Sequence, residues 1–178
     1  MYEIIMRHNR PWTTREVLFF VILFVLVTYV LVRLFKKKRI VLSQVFAGEF
    51  LFVFIMIVLA STVFTRAPNS SRTYELTPFW SWWEAASGNL GLLREIVLNI
   101  ILFLPIGILL PFVFGKKILL RYALLAGISF SFIVECSQLL FCRGLFEWDD
   151  IIDNSIGAII GCIISNQIVQ RFGKNRIK

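Results

Sequence analysis

The sequence predicts an all-α fold, a polytopic membrane helix bundle with about five transmembrane helices. First, 58% of the 178 residues are hydrophobic and only 17% are charged, a balance that a soluble domain of this size does not need. Second, the chain contains five apolar runs of about 20 residues, the length that crosses a bilayer as a helix. Third, much of the formal charge of +8 lies in short segments between these runs, as expected for loops that face anionic lipid.

Two transmembrane helices are predicted over residues 17–64, after a polar N-terminal tail at residues 1–16. The first span covers residues 17–35 and the second covers about 41–64. We expect the first span to be an anchored helix and not a cleaved signal peptide, because its apolar run is long and a basic block follows it directly. Glu49 interrupts the second span near this block, and we expect its carboxylate to stay hydrated or to pair with a lysine.

An aromatic loop, predicted to be extracellular, occupies residues 65–95. Trp80, Trp82 and Trp83 indicate a segment in the headgroup layer, because an indole ring has an apolar body and a hydrogen-bonding N–H group. Two interpretations stay open. Residues 88–93 begin a short interfacial helix, or the whole segment is an ordinary loop with an aromatic anchor.

A three-helix core is predicted over residues 96–170, followed by a basic tail at residues 171–178. Pro105 and Pro111 lie inside the first of the three spans and predict a kink, because each proline removes a backbone hydrogen bond. The three spans cover residues 96–114, 118–141 and 151–169.

Lysine and arginine residues predict the orientation of the bundle. They are concentrated in the loop after the first span, in the turn after the third span and in the C-terminal tail. Because basic residues collect on cytoplasmic loops, these three regions are predicted to be cytoplasmic. The aromatic loop is then outside, and the C-terminus is in the cytoplasm.

Polar residues of the last three spans are predicted to meet at one depth, near the outer leaflet. The third and fifth spans begin on the outer side, and the fourth span ends there. A polar side chain inside an apolar helix usually faces other helices or water, and it often marks function. The candidate ligand-binding residues of this cluster are Asn99, Glu135, Gln138, Arg143, Asp150 and Asn154.

Helical spacing extends this polar cluster along the last span. Asp150, Asn154, Gly157 and Gly161 share one face, and the G-x-x-x-G pair lets another helix approach closely. The acidic turn before this span contains Glu147 and Asp149. We expect Glu147 and Asp149 to face water.

The sequence gives no reason to expect a cofactor, a resident metal or a nucleic-acid partner. The three cysteines, Cys136, Cys142 and Cys162, show no paired spacing, and we interpret them as packing residues. The only histidine, His8, lies in the N-terminal tail, so no nucleophile–histidine pair is available in the core. Cytoplasmic loops account for the basic excess without nucleic acid.

Four short segments match a known pattern in their order and spacing. They are E-L-T-P-F at 75–79, N-I-I-L-F-L-P-I-G-I-L-L-P at 99–111, E-C-S-Q at 135–138 and D-D-I-I-D-N-S-I-G-A-I-I-G at 149–161. Together they resemble the VanZ-like family of bacterial membrane proteins over about half of the chain. The family often has Asn at the position of Glu75. The resemblance implies a multi-pass bacterial cell membrane protein and low-level resistance to glycopeptides such as teicoplanin, without implying a mechanism.

Three classes of function fit these observations. The preferred one is a non-enzymatic membrane protein whose outer-leaflet polar pocket binds a lipoglycopeptide, a lipid-linked cell-wall precursor or another lipid-tailed molecule. The second is an intramembrane enzyme that uses Glu135 as general base, or Asp149, Asp150 and Asp153 to hold a hard cation. The third is a purely structural protein, in which Glu135, Arg143 and Asp150 lock the last two spans together.

Overall fold

The computed structural model describes residues 10–174, with side chains described as far as residue 170, and it confirms the all-α class. The helices are α1 Thr14–Lys36, α2 Leu42–Leu59, α3 Trp80–Ala86, α4 Leu90–Phe114, α5 Leu120–Phe141 and α6 Trp148–Lys174. Two short strands, β1 Thr73–Glu75 and β2 Leu145–Glu147, accompany them. Residues 1–9 of the predicted N-terminal tail, including His8, and the side chains of the predicted basic tail at 171–178 lie outside the described part.

Five of these helices, all except α3, are long and apolar enough to cross a membrane, which confirms the predicted number of spans within the described chain. α4 begins six residues before the predicted position, at Leu90, because the Asn89 side chain caps it by accepting from the N–H groups of Gly91 and Leu92. α4 also continues through Pro105 and Pro111. Since α4 starts early, the aromatic loop is shorter than predicted.

The aromatic loop contains a short helix at a position that neither interpretation of the sequence gave. It is α3, Trp80–Ala86, which lies before residues 88–93. The helix that begins within residues 88–93 is the long helix α4. Phe79 precedes α3 with a positive φ of 64°, a left-handed conformation that is unusual for a bulky residue. The chain therefore makes a sharp turn at the end of the E-L-T-P-F segment before α3 begins.

The N-terminal hairpin of α1 and α2 packs through its aromatic and small residues. Trp12, Phe20 and Phe64 form edge-to-face pairs at one end of the hairpin. Gly48 of α2 lies against the Leu31 side chain of α1. The expectation that Glu49 stays hydrated or pairs with a lysine is wrong for the described residues. Both Glu49 carboxylate oxygens are buried by the packing and accept no hydrogen bond there.

α6 is the central helix of the bundle, and it packs against α4 backbone to backbone. In its apolar stretch 56% of the residues are buried, compared with 6% in α1. A Cβ atom added at Gly157 or Gly161 would lie closer than 3.0 Å to a carbonyl oxygen of α4. Gly107 of α4 meets the Ala158 carbonyl of α6 in the same way. The predicted close approach at the G-x-x-x-G pair is confirmed, and α4 is its partner.

A two-stranded parallel sheet ties the aromatic loop to the turn between α5 and α6. Its register pairs Thr73 with Leu145 and Glu75 with Glu147. The Thr73 hydroxyl also donates to the carbonyl of Gly144, at 3.0 Å. This pairing brings two segments that are far apart in the sequence to the same end of the bundle.

Candidate functional site

A cavity of about 290 Å³ lies where α2 and α5 end and where α4 and α6 begin. Three of the six predicted site residues, Asn99, Gln138 and Asp150, line this cavity. Glu135, Arg143 and Asn154 lie outside its lining. The complete lining consists of Arg66, Glu95, Leu98, Asn99, Gln138, Leu145, Glu147 and Asp150.

A hydrogen bond between α4 and α6 forms one wall of the cavity. The side-chain amide of Asn99 donates to Oδ1 of Asp150 at 2.6 Å. Asn99 therefore has the partner that an amide in a membrane helix requires. The bond fixes the Asp150 carboxylate in the cavity lining.

Gln138 forms a second wall, from the last turn of α5. Only 4% of this residue is exposed, and its amide nitrogen donates to the Thr62 carbonyl at 3.2 Å. Gly144 lies beside it, and a Cβ atom there would be 2.8 Å from Gln138 Oε1 and 3.1 Å from Arg66 Nη1. The absence of a side chain at Gly144 therefore leaves room for the Gln138 and Arg66 side chains.

Glu135 lies behind the cavity and is 1% exposed. Its Oε2 accepts a hydrogen bond from the backbone N–H of Glu147 at 3.1 Å. Within residues 10–170 no basic side chain forms an ion pair with it. Glu135 thus supports β2, the strand that carries Leu145 and Glu147 into the cavity lining.

Asn154 joins α6 to α5 one turn deeper than Asp150. Its amide nitrogen donates to the Ser131 hydroxyl at 2.8 Å, inside the buried interface. Oδ1 of Asn154 is buried and accepts no hydrogen bond from the described residues. Asn154 holds the two helices together below the cavity.

Arg143 binds the end of α2 instead of the cavity. Its guanidinium donates to the Val63 carbonyl at 2.9 Å and also to the Phe64 carbonyl. These carbonyls belong to the π-helical turn Ala60–Phe64, where helix geometry leaves acceptors without intrahelical partners. Arg143 therefore fixes the point from which the chain continues to Arg66.

The expectation that Asp149 faces water is wrong, because the carboxylate caps α3. Asp149 is 1% exposed and accepts from the backbone N–H groups of Phe79 and Ser81 and from the Ser81 hydroxyl. Asp153 accepts from the Trp82 indole N–H at 3.0 Å. The carboxylates of Asp149 and Asp153 thus bind α3, whereas Asp150 binds Asn99. Because the three carboxylates have separate partners, this arrangement does not favour the hard-cation alternative.

The expectation that Glu147 faces water is also wrong, because this side chain is half-buried in the cavity wall. Sequence reasoning also missed Arg66, Leu98 and Leu145 as lining residues. Leu145 and Glu147 reach the cavity through the β1–β2 pairing, and Arg66 reaches it through the end of α2. A three-residue parallel bridge between distant loops leaves no periodic signal in a single sequence.

Glu147 is expected to make the folded protein less stable as the pH rises through 7. Burial raises the pKa of Glu147 from its ordinary 4.5 to about 7, and the carboxylates of Asp150 and Glu95 add to the rise. The folded state therefore keeps a proton that the unfolded chain has already lost. This contribution to stability is fully present below pH 4.5 and is lost as the pH rises through about 7.

Melting temperatures of the purified protein, measured from about pH 5 to about pH 8.5, check this expectation. Wild type should melt at progressively lower temperature towards the basic end, and Glu147→Gln should flatten that decline. Glu84→Gln is the matched control, because Glu84 is an exposed carboxylate of α3 outside the cavity. Parallel pH profiles for wild type and Glu147→Gln would contradict the expectation.

Comparison with known proteins adds a family assignment to this geometry. The VanZ/LLP1 family profile matches residues 48–170, which is more than half of the chain. Protein VanZ of Enterococcus faecium is 34% identical over 91 residues, which cover 51% of this chain and 50% of that protein. The chain thus matches about half the length of this relative. No solved structure matches the chain.

Proposed function

The chain belongs to the VanZ/LLP1 family of membrane proteins, and from this premise we propose that it binds a lipid-tailed or lipid-linked molecule at the cavity. In this proposal the ligand's polar group enters the cavity, and its apolar tail stays in the bilayer. Sequestering such a molecule would give low-level resistance to a glycopeptide such as teicoplanin. The protein itself is a multi-pass bacterial membrane protein.

The observation that carries this proposal is the composition of the cavity lining. Polar side chains from three helices, Asn99, Gln138 and Asp150, converge there beside an apolar residue, Leu98. Leu98 is 46% exposed, so the rim of the cavity meets the apolar surface of the bundle. A concave site with a few convergent polar groups and an apolar margin suits a ligand that arrives from the bilayer.

We propose that the cavity faces the exterior of the cell. The basic residues of the α1–α2 loop and of the α4–α5 turn belong to the opposite end of the bundle. Since basic segments favour the cytoplasmic side, the end that carries the cavity would be outside. This orientation exposes the site to extracellular antibiotics and to outer-leaflet lipids.

Binding is better supported than catalysis by Glu135. A general base must reach the proton that it abstracts, directly or through one water. Glu135 is 1% exposed, lies outside the cavity lining and accepts from the Glu147 backbone N–H. These contacts support a role for Glu135 in holding β2.

Wild-type protein in lipid nanodiscs is expected to retain teicoplanin without changing its mass, and Asp150→Asn is expected to retain at least about fivefold less. This substitution removes a charge from the lining, and hydrogen bonds to charged groups contribute about 1.5–3 kcal/mol. Co-elution on size exclusion followed by intact mass spectrometry measures both retention and chemistry. Lipid-linked cell-wall precursors are assayed in the same way.

Glu84→Gln is the control, because it removes an exposed carboxylate outside the cavity. Melting temperature and membrane abundance of Asp150→Asn should stay near wild type, so that lost retention reports on the site. Equal retention by Asp150→Asn and Glu84→Gln would refute the proposed site. A product of altered mass would replace binding with catalysis.

A further inference from the structure

We infer that the cavity takes the protonated amine of its ligand, which makes the ligand an aminated lipid-tailed molecule. The inference rests on the proposed function, since it assumes that a ligand enters this cavity. It names the chemical group that the cavity recognises. A ligand that offers only a phosphate group is expected to bind poorly there. Three features of the lining support it: the sign of its charges, its oxygen atoms that lack a hydrogen-bond donor, and the space kept for them.

The charges of the lining are predominantly negative. Three carboxylates, Glu95, Glu147 and Asp150, face one guanidinium, that of Arg66. None of the three carboxylates forms an ion pair with a basic residue in the described part of the chain. A site whose walls carry one sign of charge raises the local concentration of ligands of the opposite sign. A phosphate or diphosphate would meet more repulsion than attraction there.

The amide of Gln138 adds an acceptor to the same lining. Its nitrogen donates to the Thr62 carbonyl, whereas Oε1 accepts no hydrogen bond from residues 10–170. The residue as a whole is 4% exposed, but Oε1 is not among the fully buried atoms, so a ligand in the cavity can reach this oxygen. A ligand N–H group would supply the donor that this oxygen lacks among the described residues.

Asp150 also contributes a free oxygen to the lining. Asn99 occupies Oδ1 of Asp150, and its Oδ2 accepts no hydrogen bond within the described residues. An ammonium group offers three donors and no acceptor, which matches a wall of carboxylate and amide oxygens. The cavity, at about 290 Å³, has room for such a group and the atoms that attach it to a larger molecule.

Gly144 keeps the Gln138 acceptor available. A side chain at this position would lie 2.8 Å from Gln138 Oε1 and would push it away from its place in the wall. The neighbouring carboxylates also act on Glu147. Asp150 and Glu95 both raise the pKa of Glu147, after burial, and a bound cation would reverse this effect.

Three probes with one tail length test the inference: dodecylamine, N-dodecylacetamide and dodecyl phosphate. Their affinities for the full chain in dodecyl maltoside micelles are measured by titration calorimetry at about pH 8, where Glu147 is ionised. Dodecylamine is expected to bind at least about tenfold more tightly than the acetamide, because charge-assisted hydrogen bonds are roughly twice as strong as neutral ones. Dodecyl phosphate is expected to bind no better than the acetamide.

Two substitutions connect this preference to the lining. Glu95→Gln and Glu147→Gln are each expected to weaken dodecylamine binding by about tenfold and to leave N-dodecylacetamide unchanged. Neither the Glu95 nor the Glu147 carboxylate forms an ion pair within the described residues, so both variants should fold. Glu84→Gln, which removes an exposed carboxylate elsewhere, should keep the wild-type preference.

Equal affinity for amine and acetamide, a preference for phosphate, or unchanged preference in both cavity variants would overturn the inference. The inference would also be overturned if wild type bound calcium, both variants lost this binding and wild type showed no preference for the amine. The cavity would then be a site for an inorganic cation. Displacement of dodecylamine by teicoplanin or by lysyl-phosphatidylglycerol identifies whether the amine comes from a glycopeptide or from a lipid headgroup. If the protein retains teicoplanin but does not prefer dodecylamine over the acetamide, only this inference is refuted. If the protein prefers dodecylamine but does not retain teicoplanin, the proposal that the ligand is this antibiotic is refuted.

Discussion

Replacing Gly157 by alanine is expected to destabilise the bundle by more than about 3 kcal/mol, above the usual range for overpacking. The added methyl group would fall within 3.0 Å of the Ile100 carbonyl, which belongs to the α4 backbone. A side chain can rotate away from such a clash, but a helix backbone moves only if the whole interface opens. Since α6 is the central helix, the change should loosen the cavity walls at Asn99 and Asp150 as well.

Gly48→Ala provides a close match for this substitution. Gly48 also lies in a membrane-spanning helix, but its added methyl group would meet only the flexible Leu31 side chain. We expect this variant to stay within about 1 kcal/mol of wild type, because alanine also favours the helix over glycine. Thermal unfolding in detergent, followed by circular dichroism, compares the two. A Gly157→Ala protein as stable as Gly48→Ala would mean that α4 and α6 are farther apart than described.

The helical core could be predicted from the sequence because its signals are local. Apolar runs long enough to cross a bilayer predict the five spans. The spacing of Gly157 and Gly161 predicts a helix face that another helix can approach closely. The partner of that face was not predictable, because small residues occur in several spans. Asn99 needed a partner on general grounds, but only the fold identifies Asp150.

Only three of the eight residues that line the cavity could be predicted, because the others depend on the tertiary fold. Asn99, Gln138 and Asp150 project from helices whose ends the charge pattern had already brought to one level. Arg66 and Glu147 come from connecting segments, whose positions depend on contacts between distant parts of the chain. Arg143 was grouped with the site by its place in the sequence, yet it binds carbonyls at the end of α2. Where the chain turns sharply, closeness in sequence does not predict which side chains line the same cavity.

The polarity of Glu147 and Asp149 predicts solvent exposure, yet Asp149 lies in the first turn of α6 and is buried. In a membrane protein the carboxylates of a short acidic segment can instead accept hydrogen bonds from the backbone N–H groups of a neighbouring loop. Asp149 does this for α3, and the two family segments 75–79 and 149–161 meet at that contact. The segments that carry the family resemblance therefore belong together physically, as the two sides of one hydrogen-bonded junction.

Replacing Asp149 by alanine is expected to release α3 from the bundle and to lower the free energy of unfolding by about 3 kcal/mol or more. The carboxylate accepts three hydrogen bonds, and its removal leaves two backbone N–H groups and the Ser81 hydroxyl without a partner. Each buried group left unpaired costs about 1–3 kcal/mol, although the three do not add independently. Ser81→Ala, which removes only the hydroxyl bond, should have a smaller effect.

Hydrogen exchange at the amides of α3 separates local release from global unfolding. In Asp149→Ala these amides should exchange much faster than in wild type, while the α4 and α6 cores stay protected. Glu84→Ala removes an exposed carboxylate from α3 itself and should change neither exchange nor stability. If Asp149→Ala left α3 protected, the Trp82–Asp153 bond and the β1–β2 pairing would suffice to hold the helix. Because β2 ends two residues before Asp149, a released α3 should also weaken ligand retention at the cavity.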